Sequence, residues 1–203
     1  MKAILVTAFE AFGGETINPT EKVLSMLPDE TGGYGFRKIL LPVEFGRSAD
    51  SAISEYDRLK PAAVIMLGQA GGRSAISPET TARNLMNSSV PDNAGHTADH
   101  VRISETGPDK LKSTLPVDSI VDVLSAKGIP CEISDDAGTF VCNDLFYRML
   151  EHAGGEVPAG FIHVPYIREQ GHEDKPFMEI SNIEAGIKAI METVMKEAVD
   201  PED

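Results

Sequence analysis

Short apolar runs alternate with amphipathic stretches along almost the whole chain. Residues 3–7 (AILVT), 36–43 (FRKILLPV), 62–67 (AAVIML) and 160–165 (GFIHVP) read as buried strands. Between them lie helices with start and stop signals. Asn18 caps one, Pro19 sits in its first turn, and Glu21 completes an Asn-x-x-Glu variant of the capping box. A second helix covers 46–59 and ends before Pro61. A third opens at Pro116, gathers Ile120, Val121, Val123 and Leu124 on one face, and stops at Gly128. Residues 140–152 and 180–198 are the last two helices, and 130–134 is a further strand. Residues 79–86 fit either strand or helix. This order predicts an α/β fold: one domain over 1–203, three layers in α/β/α order, with a largely parallel central sheet.

The intervals between these elements locate a site. Ligands of such sheets bind outside the carboxyl ends of the strands. Three segments converge there: the turn Gly68-Gln69-Ala70-Gly71-Gly72, residues 135–139, and Pro165. Residues 88–114 are polar and contain Pro91, Gly95, Gly107 and Pro108, which predicts a long functional loop. The acidic tail from Val199 to Asp203 is expected to fray.

Composition removes several function classes. Lys and Arg total 18 against 32 Asp and Glu, a net charge of −14. That field repels phosphate backbones and argues against a nucleic-acid partner. The longest apolar run, 62–67, is too short to cross a membrane. The N-terminus meets Glu10 early and shows no cleavage pattern. Cys131 and Cys142 do not make a disulfide framework. A cytoplasmic location with reduced thiols is expected, and Cys131 reads as a small core residue.

Three side chains can carry chemistry. Cys142 follows Gly138 and Thr139, and with Thr139 as cap it falls in the first turn of a helix. Unpaired N–H groups and the helix dipole there favour a thiolate, and the same N–H groups can hold an oxyanion. Position alone leans to a small buried hydrophobe. His163, at a strand's carboxyl end, is either a general base or a satisfied core histidine. Glu79 is either the acid that orients that histidine or a surface carboxylate. His96 and His100 would share a face if helical and bind zinc, but Pro91 and Gly95 favour a loop. The Gly68–Gly72 turn lacks the spacing and the lysine of a phosphate cradle. Phe9 and Phe12 are core residues or an apolar wall. No metal or cofactor is implied.

Taken in order, these segments resemble one family. The run from Phe9 through Phe12-Gly13-Gly14 to Asn18-Pro19 is similar to the opening of the pyroglutamyl peptidase (pyrrolidone-carboxylate peptidase) family. Gly68-Gln69-Ala70-Gly71-Gly72-Arg73 through Glu79, Pro91-Asp92-Asn93, Ala137-Gly138 through Cys142-Asn143, and Phe161 through Ile167 follow in the family's order. The resemblance spans about residues 3–170. It implies a cysteine peptidase that removes N-terminal pyroglutamate from peptides, with Cys142 as nucleophile, His163 as base and then acid, and Glu79 as third member. It places Phe9 and Phe12 against the pyroglutamate ring, and Gln69 and the Val141 backbone at its lactam. It also implies a homo-oligomer, commonly a tetramer. Five features depart from the family pattern. Ala8 replaces a glycine, Ala11 a proline, Thr80 a basic residue and Ser89 an arginine; Leu111-Lys112 replaces an aromatic pair. Ala8 adds a methyl group that could tilt Phe9. Two rival readings are a related cysteine amidase acting on another small lactam or N-acyl group, and a non-catalytic ligand-binding α/β protein.

Overall fold

A computed structural model of the chain describes residues 1–200. Strand β1 (Lys2–Phe9) leads into helix α1 (Pro19–Met26). A hairpin, β2 (Glu30–Thr31) and β3 (Tyr34–Leu41), then precedes helix α2 (Arg47–Leu59) and strand β4 (Ala63–Gln69). Short strands follow: β5 (Ser77–Glu79), β6 (Thr81–Arg83), β7 (Met86–Ser88), β8 (Ala98–Val101) and β9 (Lys110–Lys112). Helices α3 (Val117–Ala126) and α4 (Val141–Ala153), strand β10 (Ala159–Val164) and helix α5 (Ile180–Val194) complete the order.

The main sheet runs β2-β3-β1-β4-β10-β5. Strands β3, β1, β4 and β10 are parallel, and β2 and β5 close the two edges antiparallel. Alternation along each strand fills two separate cores. Ile4, Val6, Ile65, Leu67 and Ile162 pack with Val23 of α1, Leu124 of α3 and Ile187 of α5. Leu5, Phe9, Val64, Met66 and Phe161 pack with Ala52 of α2 and Phe146 of α4. Strands buried on both faces must read as near-continuous apolar runs, as these do. The result is the expected three-layer α/β/α fold.

Several details differ from expectation. Asn18 does cap α1, accepting from the Thr20 N–H at 2.9 Å. Its oxygen also accepts from the Thr20 hydroxyl at 2.8 Å, so Thr20 stands beside the cap where Glu21 was expected. Residues 130–134 form no strand. They make only single bridges, Ile76 to Cys131 and Glu79 to Ser134. The loop predicted over 88–114 instead carries strands β8 and β9, which pair back with β7 and β6 at or before its start. The final helix stops at Val194 and gives way to a π-turn over Met195–Val199. Part of the fraying expected of the tail concerns residues 201–203, which lie outside the described residues.

Candidate active site

Three carboxyl-end segments and one helix start meet on the α2/α4 face. On β10, His163 pairs with Gly68 of β4 on one side and with Ser77 of β5 on the other. Phe161 and His163, two residues apart, project to the same face. Glu79 pairs with Phe161 and turns its carboxylate to the ring: His163 Nδ1 lies 2.7 Å from Glu79 Oε1. Both residues are buried. Burial pushes the Glu79 carboxyl up. The hydrogen bond from His163 and the charges of His163 and Arg73 outweigh it and hold the group below the usual carboxylate range. An ionised carboxylate only accepts, so Nδ1 carries a proton, and in the neutral imidazole Nε2 is the acceptor.

Cys142 is the second residue of α4. A Cβ built on Gly68 would lie 3.0 Å from its Sγ and 2.7 Å from the Phe161 ring. The sulfur therefore sits over the strand residue that pairs with His163, and the absence of a side chain at Gly68 leaves room for it. Asn143 fixes this end of α4. Its side chain accepts from the Arg83 N–H (2.8 Å) and donates to the carbonyls of Arg83 (2.8 Å) and Leu85 (2.9 Å). Asp144 accepts from the Gly46 N–H at 2.7 Å.

Two expectations about this helix start are corrected. Phe140 is the cap residue, without a side-chain cap bond. The Thr139 hydroxyl donates instead to the Asn87 carbonyl at 2.6 Å. The Cys142 thiol is also not acidified. Burial, reinforced by the Glu79 charge, pushes it up to about 12, against the weaker opposing pull of its own N–H and Arg73. The residue keeps some exposure, but protein rather than water dominates the surroundings of the sulfur. Cys131 is likewise pushed up by burial, to about 11, and packs against the α1/α3/α5 core as expected.

The remaining site candidates are spread around this centre. Phe9 ends β1 inside the α2/α4 core, 1% exposed. Phe12 stacks at a tilt on Phe140, 6.1 Å between centroids, and Phe140 meets Phe45 edge-on at 5.3 Å. Gln69 ends β4, and its Oε1 accepts from Gln170 at 2.8 Å. Val141, the first residue of α4, is fully buried. The methyl of Ala8 packs in the opposite core, away from the face that holds Phe9.

Sequence reasoning missed the clamps. Asn93 donates to Glu10 Oε1 (3.0 Å) and to the Ala11 carbonyl (2.9 Å), tying down the segment before Phe12. Asp92 accepts from the N–H groups of Phe45, Ala94 and His96. Arg73 contacts Glu79 directly. Phe45, Phe140 and Gln170 were missed as well. The motif Pro91-Asp92-Asn93 was the signal available for the loop clamp. The others meet their partners only through long-range folding. His96 and His100 share no helix face, because His96 lies before β8 and His100 lies on it. Among the described residues, no group of three or more His, Cys, Asp or Glu side chains is placed to hold a metal.

The profile of the family described as pyroglutamyl peptidase matches residues 2–197. The chain belongs to the pyroglutamyl peptidase family. A pyrrolidone-carboxylate peptidase of Lactobacillus helveticus is 39% identical over 194 residues, covering 94% of this chain and 97% of the relative. One from Thermococcus onnurineus is 41% identical, covering 95% and 98%. The solved pyroglutamyl peptidase I of Bacillus amyloliquefaciens superposes with a TM-score of 0.94 at 34% identity, covering 100% of this chain and 99% of that one. A mutant pyrrolidone carboxyl peptidase from Pyrococcus furiosus gives 0.93 at 35% identity, covering 97% and 99%. Family membership makes this chain a cysteine-type exopeptidase.

Proposed function

We propose that this pyroglutamyl peptidase removes N-terminal pyroglutamate from peptides through an acyl-enzyme on Cys142. The observation that carries the assignment is the 2.7 Å Glu79–His163 contact beside the strand residue over which Cys142 sits. Glu79 holds the imidazole with Nε2 free to accept a proton. Because burial disfavours a standing thiolate, His163 takes the thiol proton as Cys142 Sγ attacks the pyroglutamyl carbonyl carbon. The developing oxyanion is held by N–H groups at the very start of α4, ahead of Asn143 and Asp144, whose own N–H groups donate to the Phe140 carbonyl. His163 passes the proton to the leaving amine as the C–N bond breaks. A water then attacks the thioester with His163 again as base, releasing pyroglutamate and restoring the thiol.

Phe9 and Phe12 flank the lactam ring, while Gln69 and the Val141 backbone meet its polar edge. A flat, uncharged ring suits apolar walls, and a buried polar edge discriminates against proline, which lacks the ring carbonyl. Peptides bearing the lactam are the partners, and no metal or cofactor takes part. Two free thiols fit a reducing cytoplasm, and no helix among the described residues is long and apolar enough to cross a membrane. Assembly as a homotetramer rests on family resemblance, and light scattering on the purified protein tests it. The deciding experiment for the activity is chromophore release from a pyroglutamyl-arylamide under reducing conditions, with Cys142→Ser as control. Turnover in the parent, lost in the variant, is expected. Equal turnover in both would overturn the role of Cys142.

A further inference from the structure

Glu79 does not face His163 alone. Arg73, just past the Gly68–Gly72 turn, donates from Nη1 to Glu79 Oε1 at 2.7 Å. His163 Nδ1 meets the same oxygen at 2.7 Å. Oε2 is buried without a hydrogen-bond partner, and the hydroxyl of neighbouring Ser134 is engaged with the Asp136 backbone. The second arm of the guanidinium, Nη2, donates to the Asp136 carbonyl at 2.9 Å. Asp136 lies in the segment that runs through Gly138 into α4, and its carboxylate is paired with Arg83 at 3.2 Å. One planar group thus joins the carboxylate behind the histidine to the approach of the nucleophile's helix.

We propose that Arg73 is a positioning residue for this reaction, holding Glu79 ionised and aimed at His163 while fastening residues 134–138 ahead of Cys142. The inference rests on the roles given above to Cys142, Glu79 and His163. Two cationic or proton-donating groups converge on one carboxylate oxygen. That arrangement is stable only while the carboxylate stays charged, and a buried carboxylate without its cation tends to take up a proton. A protonated Glu79 no longer fixes the tautomer in which Nε2 accepts. The groups facing Glu79 are His163 on β10, Arg73, Ser134 and Cys142 at the start of α4; beyond Arg73 lies Asp136, already matched by Arg83. Lysine keeps the charge but lacks the fork that reaches both Glu79 and the Asp136 carbonyl.

The test compares parent, Arg73→Gln and Arg73→Lys by pyroglutamyl-arylamide kinetics across pH and by the downfield proton NMR signal of the His163 Nδ1–H bonded to Glu79. Circular dichroism gives the folded fraction of each protein. For Arg73→Gln, kcat is expected to fall about tenfold with KM unchanged. The acid limb of kcat/KM is expected to move up by about one pH unit. The downfield signal should shift or broaden. For Arg73→Lys, the acid limb should return to the parent position while kcat recovers only in part. Parent-like kcat, acid limb and proton signal in Arg73→Gln would overturn the proposal. So would a kcat loss matched by a smaller folded fraction with limb and signal unmoved, which marks an ordinary structural contact. If the parent protein itself fails to turn over the arylamide, the proposed function falls, and the proton signal alone decides whether Arg73 positions the pair.

Discussion

The two faces of the central sheet are built from the same strands but do different work. On the α1/α3/α5 side, the strands contribute Ile4, Val6, Ile65, Leu67, Ile162 and Val164, all apolar. On the α2/α4 side, one residue out of step, the same strands and β5 present Phe9, His163 and Glu79 beneath Cys142. On this side Asn143 holds 83–85, Asp144 holds Gly46, and one oxygen of Glu79 holds His163, while Thr7 Oγ1 and Glu79 Oε2 are buried without a partner. A buried polar group without a partner is costly; on the other side the buried Thr193 satisfies its hydroxyl within its own helix, donating to the Ala189 carbonyl. Glu79, His163 and Cys142 thus share one face set by the two-residue period of the strands.

Mutations on the two faces should separate accordingly. The largest effect is expected at Cys142→Ala, which should lower turnover by at least about 10⁴-fold while leaving the thermal midpoint near the parent's. Arylamide hydrolysis and a melting curve check both halves. Glu79→Gln comes next, with a fall in kcat on the order of 10³- to 10⁴-fold, because the imidazole loses its orienting acceptor.

Glu79→Gln also tests a pH effect of defined sign. The folded carboxyl lies below its unfolded value, so the parent gains stability above about pH 4.3 and loses it as pH falls through the lower folded value. Urea unfolding between about pH 3 and 6 should show this acid component in the parent and not in the variant. A parallel pH dependence in both proteins would argue against a depressed Glu79.

Gly68→Ala should cost about 100-fold in kcat. Its new methyl meets Phe161 and the sulfur and must displace one of them. The counterpart on the other face is Ile187→Ala in α5. It should cost about 2–5 kcal/mol of unfolding free energy, yet leave turnover per folded molecule unchanged. A change in kcat there would break the division between faces. Smallest in consequence, alkylation of Cys142 by iodoacetamide in the free protein should still be rising at about pH 9, because burial and Glu79 oppose the thiolate.

The apolar scaffold was readable because a doubly buried strand is written locally, as in AAVIML at 62–67. The ribbon of β7 with β8 was not, since β8 is largely exposed and polar and carries no apolar alternation to read. The thiol's acidity was misjudged for a related reason. The helix start is local and visible, whereas the enclosure of the sulfur and the charge of Glu79 come from distant segments. Thr139 looked like a cap because of its position, and Asn87, its actual partner, lies 52 residues away. Cys142, His163 and Glu79 were each ambiguous alone. Their order in the chain, matched to a family, singled them out.

Strand β5 is only three residues long, yet its pairing with β10 decides which way Glu79 points. Successive side chains of a strand face opposite sides, so slipping β5 by one place would turn the carboxylate into the α1/α3/α5 core and leave the imidazole without its partner. The length of the connection from Gly72 to Ser77 therefore acts as a count: a one-residue insertion or deletion that shifted β5 would turn the carboxylate away from His163 with Glu79, His163 and Cys142 all unchanged.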